Sequence, residues 1–201
     1  MTSLFFVMLI LFVLVIVLLH SQNRKTAEQL KITEKKLEEI RKVEESTKDL
    51  KGKYFVYREE YRKFKLNINC NFPTGEYKID CLSEKTRGEL KEAGDSIANF
   101  LDKHAENQYL VIIEGQASKD GYAYNYELSY KRALSLVKFW KKKGVKVGDN
   151  DNGNGELQIA GSGDGTIYPV PGRDTIEVNN QRFLVYVIPK NIINDTTDVK
   201  H

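Results

Sequence analysis

The first residues of the chain are the most restrictive part of its sequence. Sixteen consecutive apolar residues run from Leu4 to Leu19, and no charged side chain precedes them. At about 1.5 Å per residue, such a helix approaches the roughly 30 Å of a bilayer core, so residues 1–20 are predicted to form one transmembrane helix. A cleaved signal peptide is the competing interpretation, but basic residues are missing from the start and LLHSQ lacks the small residues of a cleavage site. We therefore expect the chain to stay attached to a membrane.

A segment rich in Lys and Glu follows, from residue 21 to residue 53. Leu30 and Leu37 lie seven residues apart, which predicts a helical linker with at most a weak coiled-coil seam and permits a short homodimer. A solvated helical spacer is the other interpretation. Arg24 and Lys25, directly after the span, favour a cytoplasmic side for the linker. Gly52 is expected to end the helix.

Composition argues against several classes of function. Lys and Arg exceed Asp and Glu by three and the charges are interspersed, so nothing indicates a nucleic-acid partner. Cys70 and Cys81 match no zinc pattern, because a structural zinc needs four ligands. They form either one disulfide or two packed thiols. No nucleophile with a neighbouring histidine indicates catalysis, so we expect a protein that is not an enzyme and needs no cofactor or metal.

Residues 54–190 are predicted to form one folded domain, followed by a disordered tail at 191–201. Strand signals and helical periodicity alternate along it, in the order strand 66–72, helix 83–106, strand 109–115, helix 126–143, strand 156–161 and strand 183–188. Ser83 is the expected N-cap of the first of these helices. The order β-α-β-α-β-β predicts an α/β two-layer sandwich with a mixed sheet of about four strands. The stretch GSGDG, residues 161–165, is interpreted as a plain turn.

One part of this domain carries a more specific pattern. The apolar strand VIIEG is followed by a short polar loop and then by Asn125, Leu128, Ser129, Arg132 and Ala133. This spacing resembles the Asn-x-x-Leu-Ser-x-x-Arg-Ala motif of the OmpA C-terminal-like family, and Asn180 and Arg182 resemble its final Asn-x-Arg strand. The resemblance covers residues 66–190 and is firm over 111–139. It implies an OmpA-like periplasmic domain that binds peptidoglycan non-covalently and tethers an inner-membrane assembly to the cell wall.

The resemblance also implies a ligand and the residues that contact it. In that family the ligand is the diaminopimelate part of the peptidoglycan stem peptide, which bears an ammonium and a carboxylate. Arg132 is expected to bind the carboxylate, because a planar guanidinium matches it with two hydrogen bonds. The family's aspartate falls on Ser118, which cannot neutralise an ammonium, and Asp120 is the candidate replacement. The predicted binding residues are Arg132, Asn125, Ser118, Asp120 and Arg182. Weakened recognition of the wall, or a domain used only for protein contacts, are the alternatives.

The apolar helix has a resemblance of its own. MTSLFFVMLILFVLV resembles the single transmembrane helix of proton-driven stator B subunits, the MotB class and its Zorya-type relatives in phage defence. That family carries an aspartate in an Asp-x-Met-Thr pattern, and here Met1 and Thr2 hold the last two positions. The resemblance implies an alternative function as a stator subunit beside a multi-span partner, with the proton-carrying aspartate upstream of Met1. An ordinary membrane anchor is the competing interpretation.

Overall fold

The computed structural model describes residues 2–50, 52–58, 63–148, 153–170 and 172–190. The chain divides into two compact units, residues 1–42 and residues 43–201. The predicted tail at 191–201 lies outside the described residues.

Helix α1 runs from Thr2 to Ser46 and contains the apolar segment. Within the described part of the chain it is the one helix long and apolar enough to cross a bilayer, with a mean hydropathy of 3.0 over its most apolar window. These features are consistent with a membrane-anchored protein. The α-helix ends at Ser46 rather than at Gly52, because a 3₁₀ turn over Thr47–Leu50 tightens its last residues. Leu30 and Leu37 are exposed, and the coiled coil stays a prediction.

The second unit contains a mixed sheet and two helices, which confirms the predicted α/β class. Its strands are β1 (Phe55–Arg58), β2 (Lys63–Leu66), β3 (Tyr109–Gly115), β4 (Gly155–Gly161) and β5 (Phe183–Pro189). Their order in the sheet is β1-β2-β5-β3-β4, with β3 and β4 parallel and the other pairs antiparallel. The helices are α2 (Glu84–Lys103) and α3 (Asn125–Lys142).

The sheet has five strands, one more than predicted. Strand β1 is only four residues long and is stabilised by its partner, since Phe55 lies opposite Leu66 and the Tyr57 ring lies 5.0 Å from that of Phe64. The sequence of four residues does not show which side chains will lie opposite them in the sheet, so this strand was not predicted.

The segment 66–72 was predicted as a strand, and the structure corrects this. Strand β2 ends at Leu66, and residues 67–72 continue outside regular secondary structure with alternate side chains buried, at Ile68, Cys70 and Phe72. Only Phe64 and Lys65 of β2 pair with β5, after which the two chains separate. The alternation of apolar and polar residues therefore identified the buried side chains correctly. It does not indicate which strand, if any, the backbone of this segment pairs with. Asn180, which resembles part of the family's final strand, lies instead at the end of a 3₁₀ turn over Glu177–Asn180 that precedes β5.

Both helices pack through apolar faces on one side of the sheet. Ser83 caps α2 as predicted, its side chain accepting a hydrogen bond from Thr86 N at 3.1 Å. Trp140 of α3 donates from Nε1 to Leu90 O of α2 at 2.7 Å, which links the helices. The fully buried core residues on these elements include Leu90, Ala93, Ile97, Leu101, Val111, Ile113, Ala133 and Leu136.

Two glycines bring the start of α3 directly onto the sheet. Gly115 and Gly161 are register partners at the ends of β3 and β4. A Cβ on Gly115 would lie 2.1 Å from Ser129 O, and one on Gly161 would lie 2.6 Å from Tyr130 N, both far inside van der Waals contact. The missing side chains therefore let the first turns of α3 cross the carboxyl ends of these two parallel strands, where their loops emerge.

Candidate functional site

Arg132 lies two turns into α3 and is only 2 % exposed. Its Nε donates to Glu76 O at 3.1 Å, and its guanidinium carbon lies 4.5 Å from the centre of the Phe72 ring. Its Nη1 is buried with no hydrogen-bond partner. Burial lowers the pKa of Arg132 to about 10, so the group is still charged at neutral pH. A buried cationic donor left without an acceptor is costly, and its simplest use is to bind an anion.

Ser118 is buried, and its hydroxyl forms hydrogen bonds with neighbouring side chains. Its Oγ donates to Asp120 Oδ2 and accepts from Gln181 Nε2, each at 3.2 Å. The preceding residue is held in place by a backbone hydrogen bond from Ala117 N to Gly163 O at 2.9 Å. Ser118 therefore orients the carboxylate two residues further along the chain.

Asp120 is the exposed carboxylate of this loop. It accepts hydrogen bonds from Tyr122 N, Asn125 Nδ2 and Ser118 Oγ, at 3.1, 3.1 and 3.2 Å. Partial burial opposes its ionisation, but these hydrogen bonds outweigh that effect and hold the pKa of Asp120 below its ordinary value. Asp120 is therefore a charged carboxylate that is held in place and faces the solvent. It lies in the loop where the sequence has Ser118 at the position of the family's aspartate.

Asn125 links this carboxylate to a second one. Its Nδ2 lies 3.1 Å from each of three acceptors: Ser118 O, Asp120 Oδ1 and Asp164 Oδ2. Its Oδ1 is buried without a partner, and the reverse orientation of the amide would turn that oxygen towards two carboxylates. Asp164 is 8 % exposed and also accepts from Thr166 N at 2.9 Å. Burial raises the pKa of Asp164, but the hydrogen bonds with Thr166 and Asn125 have the larger combined effect, and the pKa lies below its ordinary value.

Asp164 was missed at the sequence level, where GSGDG was taken as a turn only. The structure shows how it reaches the site: β3 and β4 are parallel neighbours, so the loops that follow them leave the same edge of the sheet. The donation from Gly163 N to Ser129 Oγ at 2.9 Å fixes the second loop to α3. The available signal was an acidic residue directly after a strand that pairs in parallel with β3.

The opposite charges of the site attract each other without pairing. The negative charge of Asp120 partly opposes the effect of burial on the pKa of Arg132, but among the described residues the two side chains form no ion pair. One edge of the sheet thus presents a guanidinium with a free donor and two ionised carboxylates. Such a set can bind a group that carries both a carboxylate and an ammonium.

The comparison with protein families decides the identity of the fold. The model of the OmpA family matches residues 71–182, which is more than half of the chain and includes every residue of this site. The chain belongs to the OmpA family.

Several solved structures resemble this OmpA-family chain. The periplasmic domain of Helicobacter pylori MotB is 15% identical, covering 69% of this chain and 92% of that chain with a TM-score of 0.45. The peptidoglycan-associated lipoprotein of Burkholderia pseudomallei is 20% identical, covering 59% of this chain and 86% of that chain with a TM-score of 0.38. An outer membrane protein of Borrelia burgdorferi is 20% identical, covering 67% of this chain and 95% of that chain with a TM-score of 0.40. No curated protein matches the chain.

Arg182 occupies a different place in the OmpA-family domain from the other four predicted residues. It is 4 % exposed, and its Nε donates to Gln116 Oε1 at 2.7 Å while Nη2 donates to Gly172 O at 2.6 Å. Gln116 N in turn donates to Arg182 O at 2.9 Å. These bonds tie the loop before β5 to the end of β3. The structure therefore brings Arg132, Asn125, Ser118 and Asp120 together, and gives Arg182 bonds that brace the loop.

Both cysteines of the domain are free thiols. Cys70 is buried, and burial raises its pKa to about 12, whereas Cys81 is exposed. The sequence allowed either one disulfide or two packed thiols, and in the structure the two cysteines are not bonded to each other. Among the described residues no three His, Cys, Asp or Glu side chains are grouped so that they could hold a metal ion.

Proposed function

We propose that the chain is anchored in the bacterial inner membrane by α1, and that its periplasmic OmpA-family domain binds peptidoglycan without covalent chemistry. In this way it tethers an inner-membrane assembly to the cell wall. The observation that carries the proposal is the buried Nη1 of Arg132, which has no hydrogen-bond partner and lies within electrostatic reach of the Asp120 carboxylate. The proposed domains are the span at 1–20, the linker at 21–53 and the binding domain at 54–190.

The ligand group is the diaminopimelate of the stem peptide. Its carboxylate satisfies Arg132, and the cost of leaving that donor unpaired in the free protein is recovered on binding. Its ammonium contacts Asp120, which is exposed and already ionised, with the charge of Asp164 behind Asn125 adding to the attraction. Ser118 acts as a positioning residue, because its hydroxyl orients Asp120. In this arrangement Asp120 supplies the charge that Ser118 lacks.

The test is a sedimentation assay with purified peptidoglycan sacculi and the full-length chain in detergent. Wild type is expected to co-sediment, and Arg132→Met and Asp120→Asn to remain in the supernatant. Lys138→Met is the matched control, because it removes a positive charge from an exposed position on the same helix. Free meso-diaminopimelate should release the bound wild type. Equal retention of wild type and Arg132→Met would contradict the proposed site.

The orientation across the membrane is tested separately, because Arg24 and Lys25 favour the opposite side. Cys81 is exposed and gives a natural probe. In intact cells whose outer membrane has been made permeable, an impermeant maleimide should label Cys81 if the domain is periplasmic. Labelling that requires lysis would place the domain in the cytoplasm and exclude wall binding.

A stator subunit is the second candidate, supported by the resemblance of the first helix to proton-driven stators. In such a machine wall binding holds the complex in place, and α1 packs against a multi-span partner. The test is to translate the DNA upstream of Met1 and to inspect the adjoining gene. An in-frame aspartate two residues upstream and a neighbouring multi-span membrane protein would favour the stator, and a stop codon directly upstream would exclude it.

A further inference from the structure

Basic side chains are concentrated where α3 ends. The lysine cluster, as we name it, consists of Lys141, Lys142, Lys143 and Lys146, all of which are exposed. Elsewhere in the domain the charges are interspersed, but no acidic residue occurs between Glu127 and Asp149. Like charges that lie side by side repel one another, so a cluster of this kind costs free energy in the isolated domain.

The helix dipole explains only part of this cluster. A lysine in the last turn of a helix is stabilised by the dipole, and Lys141 and Lys142 occupy that turn. The effect falls off beyond the last turn, whereas Lys143 is the C-cap and Lys146 follows it in the loop. Lys142 and Lys143 have no carboxylate partner among the residues that the structure describes. The stability of α3 therefore does not account for the cluster.

The turn that carries the last of these lysines is fixed to the core. Val145 N donates to Trp140 O at 3.0 Å, and Gly144 has a φ of +73°, a left-handed conformation that favours glycine and ends the helix. Val145 and Val147 are buried on either side of the exposed Lys146. Ordered backbone thus presents the lysines to the solvent, which reduces the conformational entropy lost when they bind a partner.

The lysine cluster lies at the edge of the sheet where β3 and β4 begin. Helix α3 starts over the carboxyl ends of these strands and packs along both of them. Beyond the helix, a Cβ on Gly148 would lie 2.6 Å from the Cβ of Leu157, the third residue of β4. The linker enters the domain at the same edge, because Ser46 Oγ lies 3.1 Å from the hydroxyl of Tyr109, the first residue of β3. The Arg132 site is at the opposite edge.

We propose that the lysine cluster binds the phosphate groups of anionic phospholipids at the surface of the membrane in which α1 is anchored. Clusters of about four to eight basic residues close to a spanning helix are typical of binding to anionic headgroups, with an affinity that rises about fivefold for each lysine at the surface. Residues 20–46 of α1 rise about 40 Å as a helix, so contact with the bilayer requires this helix to tilt. The inference is independent of the proposed wall binding, because Arg132 is not part of the cluster.

The test uses the full-length chain in nanodiscs of phosphatidylcholine, mixed with separate vesicles of phosphatidylglycerol and phosphatidylcholine in equal amounts. Co-sedimentation with the vesicles gives a partition coefficient. The triple variant Lys142→Gln/Lys143→Gln/Lys146→Gln should lower this coefficient about 100-fold, at roughly fivefold for each charge removed. Raising the salt concentration from about 0.1 M to about 1 M should release the wild type, since the screening length falls from about 10 Å to about 3 Å.

The matched control replaces three exposed lysines outside the cluster, as Lys78→Gln/Lys85→Gln/Lys119→Gln. It removes the same charge and should bind the vesicles nearly as well as the wild type does. Both triple variants should unfold at the wild-type Tm, followed through Trp140 emission, because all the replaced side chains are exposed. A difference in binding between them then reports the position of the lysines.

The outcomes separate this inference from the proposed function. Equal partitioning of the two triple variants would overturn the lipid site, because net charge alone would then explain the binding. Equal binding of wild type to vesicles of pure phosphatidylcholine, or no binding to either kind of vesicle, would also overturn it. Arg132→Met should bind the vesicles as the wild type does, whereas its binding to sacculi tests the proposed function. The two proposals therefore fail through different variants.

Discussion

Two buried arginines allow the proposed site to be tested by stability as well as by binding. Arg132 and Arg182 are 2 % and 4 % exposed, but their surroundings differ. Arg182 donates to two carbonyl oxygens, those of the Gln116 side chain and the Gly172 backbone. Arg132 has one such bond, to Glu76 O, and a buried Nη1 with none. Replacing each by methionine, which has a similar length and no charge, should therefore have opposite consequences.

The magnitude for Arg132 follows from its pKa, which burial lowers from 12.5 to about 10. At about 1.4 kcal/mol per pKa unit, the buried charge costs about 3 kcal/mol, and the contact of the guanidinium with the Phe72 ring offsets about 1 kcal/mol of this cost. Because the folded-state pKa is the lower one, this cost is fully present at neutral pH and would be relieved only as pH rises through about 10. Arg132→Met removes the cost but also loses the bond to Glu76 O, about 1 kcal/mol. We expect unchanged or slightly raised stability, with loss of wall binding.

The magnitude for Arg182 has the opposite sign. Arg182→Met leaves the oxygens of Gln116 and Gly172 without their donor, at about 1–3 kcal/mol each if they stay buried. A loss of about 2–6 kcal/mol is expected, which lowers Tm by about 6–18 °C at roughly 3 °C per kcal/mol for a chain of this size. The variant that harms the fold is thus predicted to be the one outside the proposed diaminopimelate site.

The assay is thermal unfolding followed by tryptophan fluorescence. Trp140 is the only tryptophan of the chain and is 1 % exposed between α2 and α3, so its emission reports the folded domain and not the apolar helix. Sacculus binding is measured on the same preparations below both transitions. If Arg132→Met lowers Tm as much as Arg182→Met does, Arg132 is a structural residue and the reasoning from its unpaired donor is refuted.

Three further predictions follow from single features of the domain. The pKa of Asp120 lies below its ordinary value, so its charge persists as pH falls from 7 to 5, and sacculus binding should be constant over that range; a loss near pH 6 would contradict this. Gly115→Ala places a Cβ against Ser129 O and should cost about 2–3 kcal/mol by the fluorescence assay; an unchanged Tm would show that α3 moves freely. In the folded protein a thiol reagent at pH 8 should modify one cysteine, the exposed Cys81, with Cys70 reacting only after denaturation; no reaction before reduction would reveal a disulfide.

Local sequence was sufficient for the elements that depend on local forces. The run from Leu4 to Leu19 gives a helix of spanning length, and Ser83 caps α2 where a serine precedes a helical periodicity. The motif from Gly115 to Arg132 was also readable, because its glycine, its helix start and its arginine are close in sequence. The alternation at Ile68, Cys70 and Phe72 correctly indicated which side chains are buried.

The tertiary structure decided what depends on distant partners. It brought Asp164 to Asn125 across 39 residues, and it brought Arg182 to Gln116 across 66 residues. It also left residues 67–72 unpaired with β5. A donor forms a hydrogen bond only if an acceptor lies within reach, and strand pairing and helix packing set the distance between residues that are far apart in the sequence. The sequence by itself therefore determined the residue types of a binding site, while packing decided which of them meet and which donor is left for a ligand.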